Sequence, residues 1–564
     1  MVDAGFPHWL SRYGTGYHAW RREAGGFARP LGVVEARFDT DGRYFGGRAD
    51  INPGLTLGLA TKLSDQDLQR HILLAYTLLG LNHCLLRAKA ELRTYGIEPW
   101  FVVKTLATPS DAIEDAASNL HFIDAAVEGP IDAYDFNLHA QNVARVVDPN
   151  KALTRGFVLP IESTSDTRRT LRMQLVMAHQ IADGLTSMNW IADFIRIMNL
   201  PTVEISRRIT AAVGSPEAVR ATLPPAQEDL YAPVAPTKAR TRWFWAITIV
   251  LRHVKKPFPP AFPNPLRRDR PLSKAQSMHP KYARILDYSE TPPLNTFSAT
   301  VELSKAASQR LFRLCREAKA SIGAGGFVLV AMAMMALHER RYPNESDDER
   351  RPFIGSFPLN PRPFINTKCL DTVMLAFCEG VLLPFLPSHL DLEGRFRLLV
   401  RAANRQLSAY QKRVRPQTDA EAKAYMGIHG TGRLIASNYI DGMERLRALL
   451  PSHLKNAIPP PRGGFDNHVS KATCGVSSVG KVDWSASRFD LNVDPGDGVI
   501  TSIEGLRSGV RVRDNEFLVG ISGDNDIVHA GVSFDGNYIA KEDAQLWVEA
   551  MKSLLEPSGF KHRL

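Results

Sequence analysis

Fourteen of the 37 prolines in this 564-residue chain fall between Gly214 and Thr296, among them Pro224-Pro225, Pro259-Pro260 and Pro292-Pro293. Proline fixes φ and lacks an amide hydrogen, so at this density neither a long helix nor a central strand is expected. The stretch therefore divides the chain into 1–213 and 297–564, with 214–296 as a long crossover. Its aromatic and apolar content is too high for a solvated linker. Each flanking part is long enough to bury a full core.

Both parts read as mixed α and β. In the first, Ser64 caps a helix with Asp67 as capping-box partner, and Leu68, Ile72, Tyr76, Leu79 and His83 share one face. Phe101–Leu106 and Thr170–His179 read as strands. The second part opens with a strand, Thr296–Val301, and a Ser304-capped helix with Leu311, Leu314, Cys315 and Ala318 inward. A more buried helix follows, from about Ile322 to His338. Its Gly323, Gly325 and Gly326 lack phosphate-loop spacing and fit close helix packing better. At sixteen residues, the uncharged run Ile322–Leu337 is short for a membrane span. Phe353–Leu359 and Thr473–Val479 read as strands, and Phe517–Ser522 and Ile527–Phe534 as a hairpin. A last helix turns Ala544, Trp547, Val548, Met551 and Leu555 to one side.

Five scattered cysteines suggest neither a disulfide framework nor a zinc site. Met1–Trp20 holds no apolar run with basic flanks, so no signal peptide is expected and a cytoplasmic setting fits. The net charge of +10 is concentrated. Lys238 to Arg284 holds twelve Lys or Arg against one acid, Asp269, and the remainder is close to neutral. No basic motif of a nucleic-acid binder appears elsewhere, so no nucleic-acid partner is expected.

The stretch that carries chemistry is His179-Gln-Ile-Ala-Asp183-Gly184. Leu171, Met173, Leu175, Met177 and His179 alternate as a strand does, and Leu185, Met188, Ile191, Ile195 and Met198 follow at helical spacing. His179 thus sits where a strand turns into a helix, its backbone held by buried structure. An imidazole with an ordinary pKa near 6.5 suits general-base work at neutral pH. The alternative is a core histidine with Asp183 as the N-cap of the next helix.

Four features in order resemble the chloramphenicol acetyltransferase-like superfamily, which includes alcohol acetyltransferases and condensation domains. They are His179–Gly184 as a His-x-x-x-Asp-Gly signature, the strand and helix pair Thr296–Leu337, Asn360-Pro-Arg362, and Val476-Ser477-Ser478-Val479-Gly480 with Phe489–Val493 beyond it. The Asp-Phe-Gly-Trp-Gly element of the plant branch is absent. The block Gly32–Asp50 and the stretch from Ser477 to Asp483 are most similar to fungal secondary-metabolite O-acetyltransferases of the trichothecene 15-O-acetyltransferase type. That block reads equally as an ordinary loop and strand.

The resemblance implies an α/β fold with mixed sheets: two such halves and an active-site tunnel between them. It implies transfer of an acyl group, most simply acetyl, from acyl-CoA to a hydroxyl of a hydrophobic alcohol such as a terpenoid. His179 is then the general base, reachable from both tunnel openings. Asp183 is structural and pairs with Arg362, Gly184 leaves room for packing, and Ser477 or Ser478 donates to the oxyanion. Acyl-CoA is a cosubstrate; no bound cofactor and no metal are expected, and the chain is expected to be a monomer. Two other readings stay open: a condensation-like enzyme using a carrier-protein thioester, and a catalytically silent scaffold. The basic centre of the crossover, 240–256, mixes Trp243, Phe244 and Trp245 with cations. Peripheral membrane contact is the expectation there, against coenzyme A phosphates or plain packing on the body.

Overall fold

The structure is a computed structural model. It describes residues 9–556 other than 94–96, 235–236, 256, 290–294, 412–417, 419–424, 428–429, 456–471 and 524–525. The first half is built from α1 (Val33–Tyr44), β1 (Ile51–Thr61), α2 (Asp65–Asn82), β2 (Leu120–Phe122), β3 (Thr154–Val158), β4 (Arg168–Met177) and α3 (Gly184–Met198). Ser64 caps α2 by accepting from the Asp67 amide, and Asp67 answers by accepting from the Ser64 hydroxyl. A small four-stranded sheet, which includes Glu98–Lys104, flanks this half. The reading of Gly32–Asp50 as loop and strand is corrected: most of it is helix α1. Its buried face carries Glu35, Asp39 and Asp41, so no apolar periodicity marked it.

The crossover also differs from expectation. It contains α4 (Lys238–Val254), a seventeen-residue helix. The prolines bracket this helix, at Pro236 and Pro257, and none lies inside it. The crossover is stitched to both cores: Tyr282 and Leu286 enter the first, and Phe244, Trp245, Phe262 and Leu266 the second.

The second half comprises β5 (Thr296–Glu302), α5 (Lys305–Glu317), α6 (Ile322–Arg341), β6 (Phe353–Leu359), β7 (Ala376–Leu383), α7 (Leu392–Gln411), α8 (Thr431–Leu449), β8 (Cys474–Lys481), β9 (Val499–Val510), β10 (Phe517–Gly523), β11 (Val528–Asp535) and α9 (Lys541–Ser553). Its sheet runs β5-β11-β10-β8-β6-β7, with β8 parallel to both β6 and β10. Helix α6 is apolar and long enough to cross a membrane, yet most of it is buried as the central core helix. A Cβ on Gly325 would lie 2.3 Å from Cys315 Sγ, so the glycine is what lets α5 and α6 touch.

The halves interlock through one strand. β9 leaves the second half and pairs antiparallel with β1, giving the order β9-β1-β4-β3-β2 in the first sheet. Eleven Cα pairs hold it, from Val499↔Thr61 to Val510↔Ile51. At its far end, the Val510 amide and Gly509 sit against Ser533 of β11. The inner faces of the two sheets thus meet around β9, beside the end of β4.

Candidate active site

Strand β4 stops at Met177, and six residues, Ala178 to Asp183, lead into α3. Ala178, Ile181 and Ala182 are fully buried, and the Ala178 amide donates to the Leu153 carbonyl at 2.9 Å. This leaves the loop little freedom. Asp183 closes it as the N-cap of α3, its Oδ1 accepting from the Thr186 amide at 2.9 Å. Capping satisfies a helix amide that would otherwise be buried without a partner.

The other carboxylate oxygen of Asp183 accepts from the Met374 amide at 3.0 Å and from Arg362 Nη2 at 2.8 Å. Both side chains of this ion pair are buried. Arg362 is anchored further by the carbonyls of Cys369 and Thr372 and by Asn360 Oδ1. Thr186 donates to the Thr372 carbonyl, and Thr372 to Glu35 Oε1 on α1. Asp183 therefore has both oxygens occupied, by the Thr186 and Met374 amides and by Arg362. The N-cap and the ion pair are one carboxylate doing two things. The loop after Arg362 is held again at Asp371, where His83 sits between Asp371 at 2.7 Å and Asp193 at 3.1 Å. Burial disfavours charge on His83, but the two carboxylates outweigh it and raise its pKa.

His179 is in the opposite state. Burial pushes its pKa down to about 4. The carbonyls of His179 and Ala182 and the charge of Asp183 oppose this, and Arg513 reinforces it. Nδ1 is buried. The imidazole is thus neutral at physiological pH and can accept a proton.

Phe38 of α1 lies flat on the ring, with centroids 3.9 Å apart and planes 3° from parallel. Nothing in the sequence near His179 announces this contact. The helix is fastened over the loop by Gln180 donating to Asp39 at 3.1 Å and by Arg513 paired with Asp41 at 2.6 Å. Phe38, Ala49 and Val373 form a small apolar cluster, with Val34 and Leu375 beside it. Val34 and Leu375 also line a cleft between α1 and α8, together with Arg37, Asn438, Gly442 and Arg445. One ring face of His179 is covered by Phe38.

The remaining sequence candidates fall into place around β8. A Cβ on Gly184 would come within 2.9 Å of Val479 Cγ1, so this glycine lets α3 begin against β8. Ser478 faces α6: its Oγ accepts from the Gly480 amide, and it lies 3.5 Å from a Cβ built on Gly323. Its cross-strand partner Ile521 likewise packs on Gly326 of α6. Alternation turns Ser477 and its partner Gly520 to the other face. That face includes Ser533, which meets β9. Ser477, not Ser478, is turned toward the first half. Among the described cysteines, burial pushes Cys84 up to about 11 and Cys315 and Cys474 up to about 12, so none of these three is an activated thiol.

No family model and no curated protein matches the chain. Solved structures do, over nearly its whole length. Trichothecene 15-O-acetyltransferase TRI3 from Fusarium sporotrichioides superposes with a TM-score of 0.58 at 12% identity, over 96% of this chain and 98% of that one. The first condensation domain of the calcium-dependent antibiotic synthetase gives 0.52 at 13% identity, over 95% and 98%. SgcC5 from Streptomyces globisporus gives 0.50 at 14% identity, over 93% and 98%. With its two interlocked halves, the chain has the chloramphenicol acetyltransferase-like fold that the acetyltransferase and the condensation domain share.

Proposed function

We propose that this protein is an O-acyltransferase that moves a short acyl group from acyl-CoA to a hydroxyl of an apolar alcohol, with His179 as general base. The observation that carries the reading is a neutral, partly buried imidazole on a loop immobilised by the Asp183–Arg362 pair. His179 takes the hydroxyl proton as the oxygen attacks the thioester carbonyl. The carbon–sulfur bond then breaks, and the departing thiolate recovers the proton from the imidazolium. Positioning both substrates in one site supplies much of the remaining rate. The apolar cluster of Phe38, Val373 and Leu375 favours a terpenoid or polyketide alcohol over a sugar or peptide acceptor.

The test is acetyl transfer from acetyl-CoA to a panel of terpenoid alcohols, read as thiol release and ester formation. Product without any added protein is the expected result. Turnover seen only with a carrier-protein thioester overturns the donor assignment. The same assay carries a pH signature. An imidazole that titrates at about 4 keeps kcat/KM flat from neutral pH down to about pH 5, with the acid limb near 4. A limb near 6.5, the ordinary histidine value, contradicts the buried-base reading.

Ser477 is the oxyanion donor in this scheme. Ser477→Ala is expected to lower kcat by roughly ten- to a thousandfold with little change in KM, as for removal of a single donor. Ser478→Ala, which changes the α6 side of the strand, is expected to leave kcat near wild type. Equal effects of the two substitutions remove Ser477 from this role.

A further inference from the structure

Helix α4 has two apolar faces, and the fold uses only one. Inward, Phe244, Trp245 and Thr248 are at most 6% exposed. Arg433 of α8 stacks on Phe244 at 4.2 Å and donates to Thr248, and Arg252 pairs with Glu444 and Asp441. These contacts clamp the helix to the body. The sequence expectation that Trp243, Phe244 and Trp245 act together at an interface is corrected accordingly, because two of the three belong to the core.

Outward, the helix presents Ala239, Trp243, Ala246, Ile247, Val250 and Val254, spaced three and four apart along one stripe. Trp243 is 68% exposed, Val250 57% and Val254 66%. A seventeen-residue helix is about 25 Å long, and this stripe runs most of that length. Scattered exposed apolar residues need no explanation, but an ordered stripe opposite the packed face does. Cations flank it. Arg240 lies on one side, and Lys238 and Arg242 lie on the other, all exposed.

We propose that the outer face of α4 is a docking surface for an anionic membrane. The helix lies in the plane of the interface with Trp243, Val250 and Val254 inserted, and Lys238, Arg240 and Arg242 meet acidic headgroups. Charge selects this occupant. The outer rim of α4 is a basic segment, with exposed Lys238, Arg240 and Arg242 beside the stripe, which an anionic surface neutralises. A two-fold contact with a second copy would instead bring this basic segment against its own copy, which like-charge repulsion opposes. Tryptophan between an apolar stripe and a cationic rim suits the headgroup level.

The test is cosedimentation of the full chain with phosphatidylcholine vesicles, with and without phosphatidylserine, at low and high salt. Binding is expected only with phosphatidylserine, and weakened by salt. The Trp243→Asp/Val250→Asp variant leaves the packed face intact, so circular dichroism should match wild type, and vesicle affinity should fall by about tenfold or more. Three results overturn the proposal. The wild type stays in the supernatant at low salt; the double variant sediments as well as wild type; or light scattering without lipid shows a dimer that the double variant abolishes while vesicle binding is absent.

Discussion

Replacing His179 by alanine is expected to lower turnover by roughly two orders of magnitude or more, the range that a positioned general base contributes. The attacking hydroxyl then has to lose its proton to water. Water is a poor acceptor at neutral pH. What survives is the rate due to holding acyl-CoA and alcohol together, so KM should change much less than kcat. The substitution also removes the ring on which Phe38 lies, leaving a void beside α1. Some loss of stability is therefore expected, of the order of a cavity-forming change. His179→Gln fills more of that space without restoring a base. The two variants should share the low turnover while the glutamine protein melts closer to wild type. Thiol release at near wild-type rate in either folded variant would end the general-base assignment.

How much of this arrangement is legible in the sequence depends on whether each residue's partners are local. Strand β6 was readable to the residue, and the caps at Ser64 and Ser304 were readable because a cap is decided within four positions. The turn from β4 into α3 was readable because two periodicities meet at His179. Helix α1 was not, because it buries charge instead of hydrocarbon. Glu35 pairs with Arg29, Asp39 with Arg43 and Asp41 with Arg513. The Phe38 stack was invisible for the same reason that β9 was: the partner lies far along the chain. β9 adds a second difficulty. Gly505, Ser508 and Gly509 break its alternation, and only the register with β1 shows it to be a strand. In the crossover, proline density averaged over the whole segment hid the proline-free window that folds as α4. The pairing of Asp183 with Arg362 came from the family resemblance alone, since nothing local links positions 183 and 362.

Removing either member of that pair is expected to destabilise the protein by about 3 kcal/mol, because a buried charge is left without its counterion. The two losses should not be equal. Arg362→Ala leaves the Asp183 carboxylate with two donors, the Thr186 and Met374 amides. Asp183→Ala leaves the guanidinium facing the carbonyls of Cys369 and Thr372, and it also uncaps α3 and orphans the Met374 amide. A lost cap adds about 1 kcal/mol, so Asp183→Ala should be the more damaging. Combining the two removes both buried charges. The double variant Asp183→Ala/Arg362→Ala should therefore be less destabilised than the sum of its parts. Urea midpoints for the three proteins measure this. Activity adds a second readout. Arg362→Lys keeps the charge but loses the fork that reaches Thr372, Cys369 and Asp183 at once. It should fold more nearly as wild type while kcat falls, because the His179 loop is less firmly held. Additive losses across the cycle, or a lysine variant with full kcat, would show that Asp183 and Arg362 do not act together to position the base.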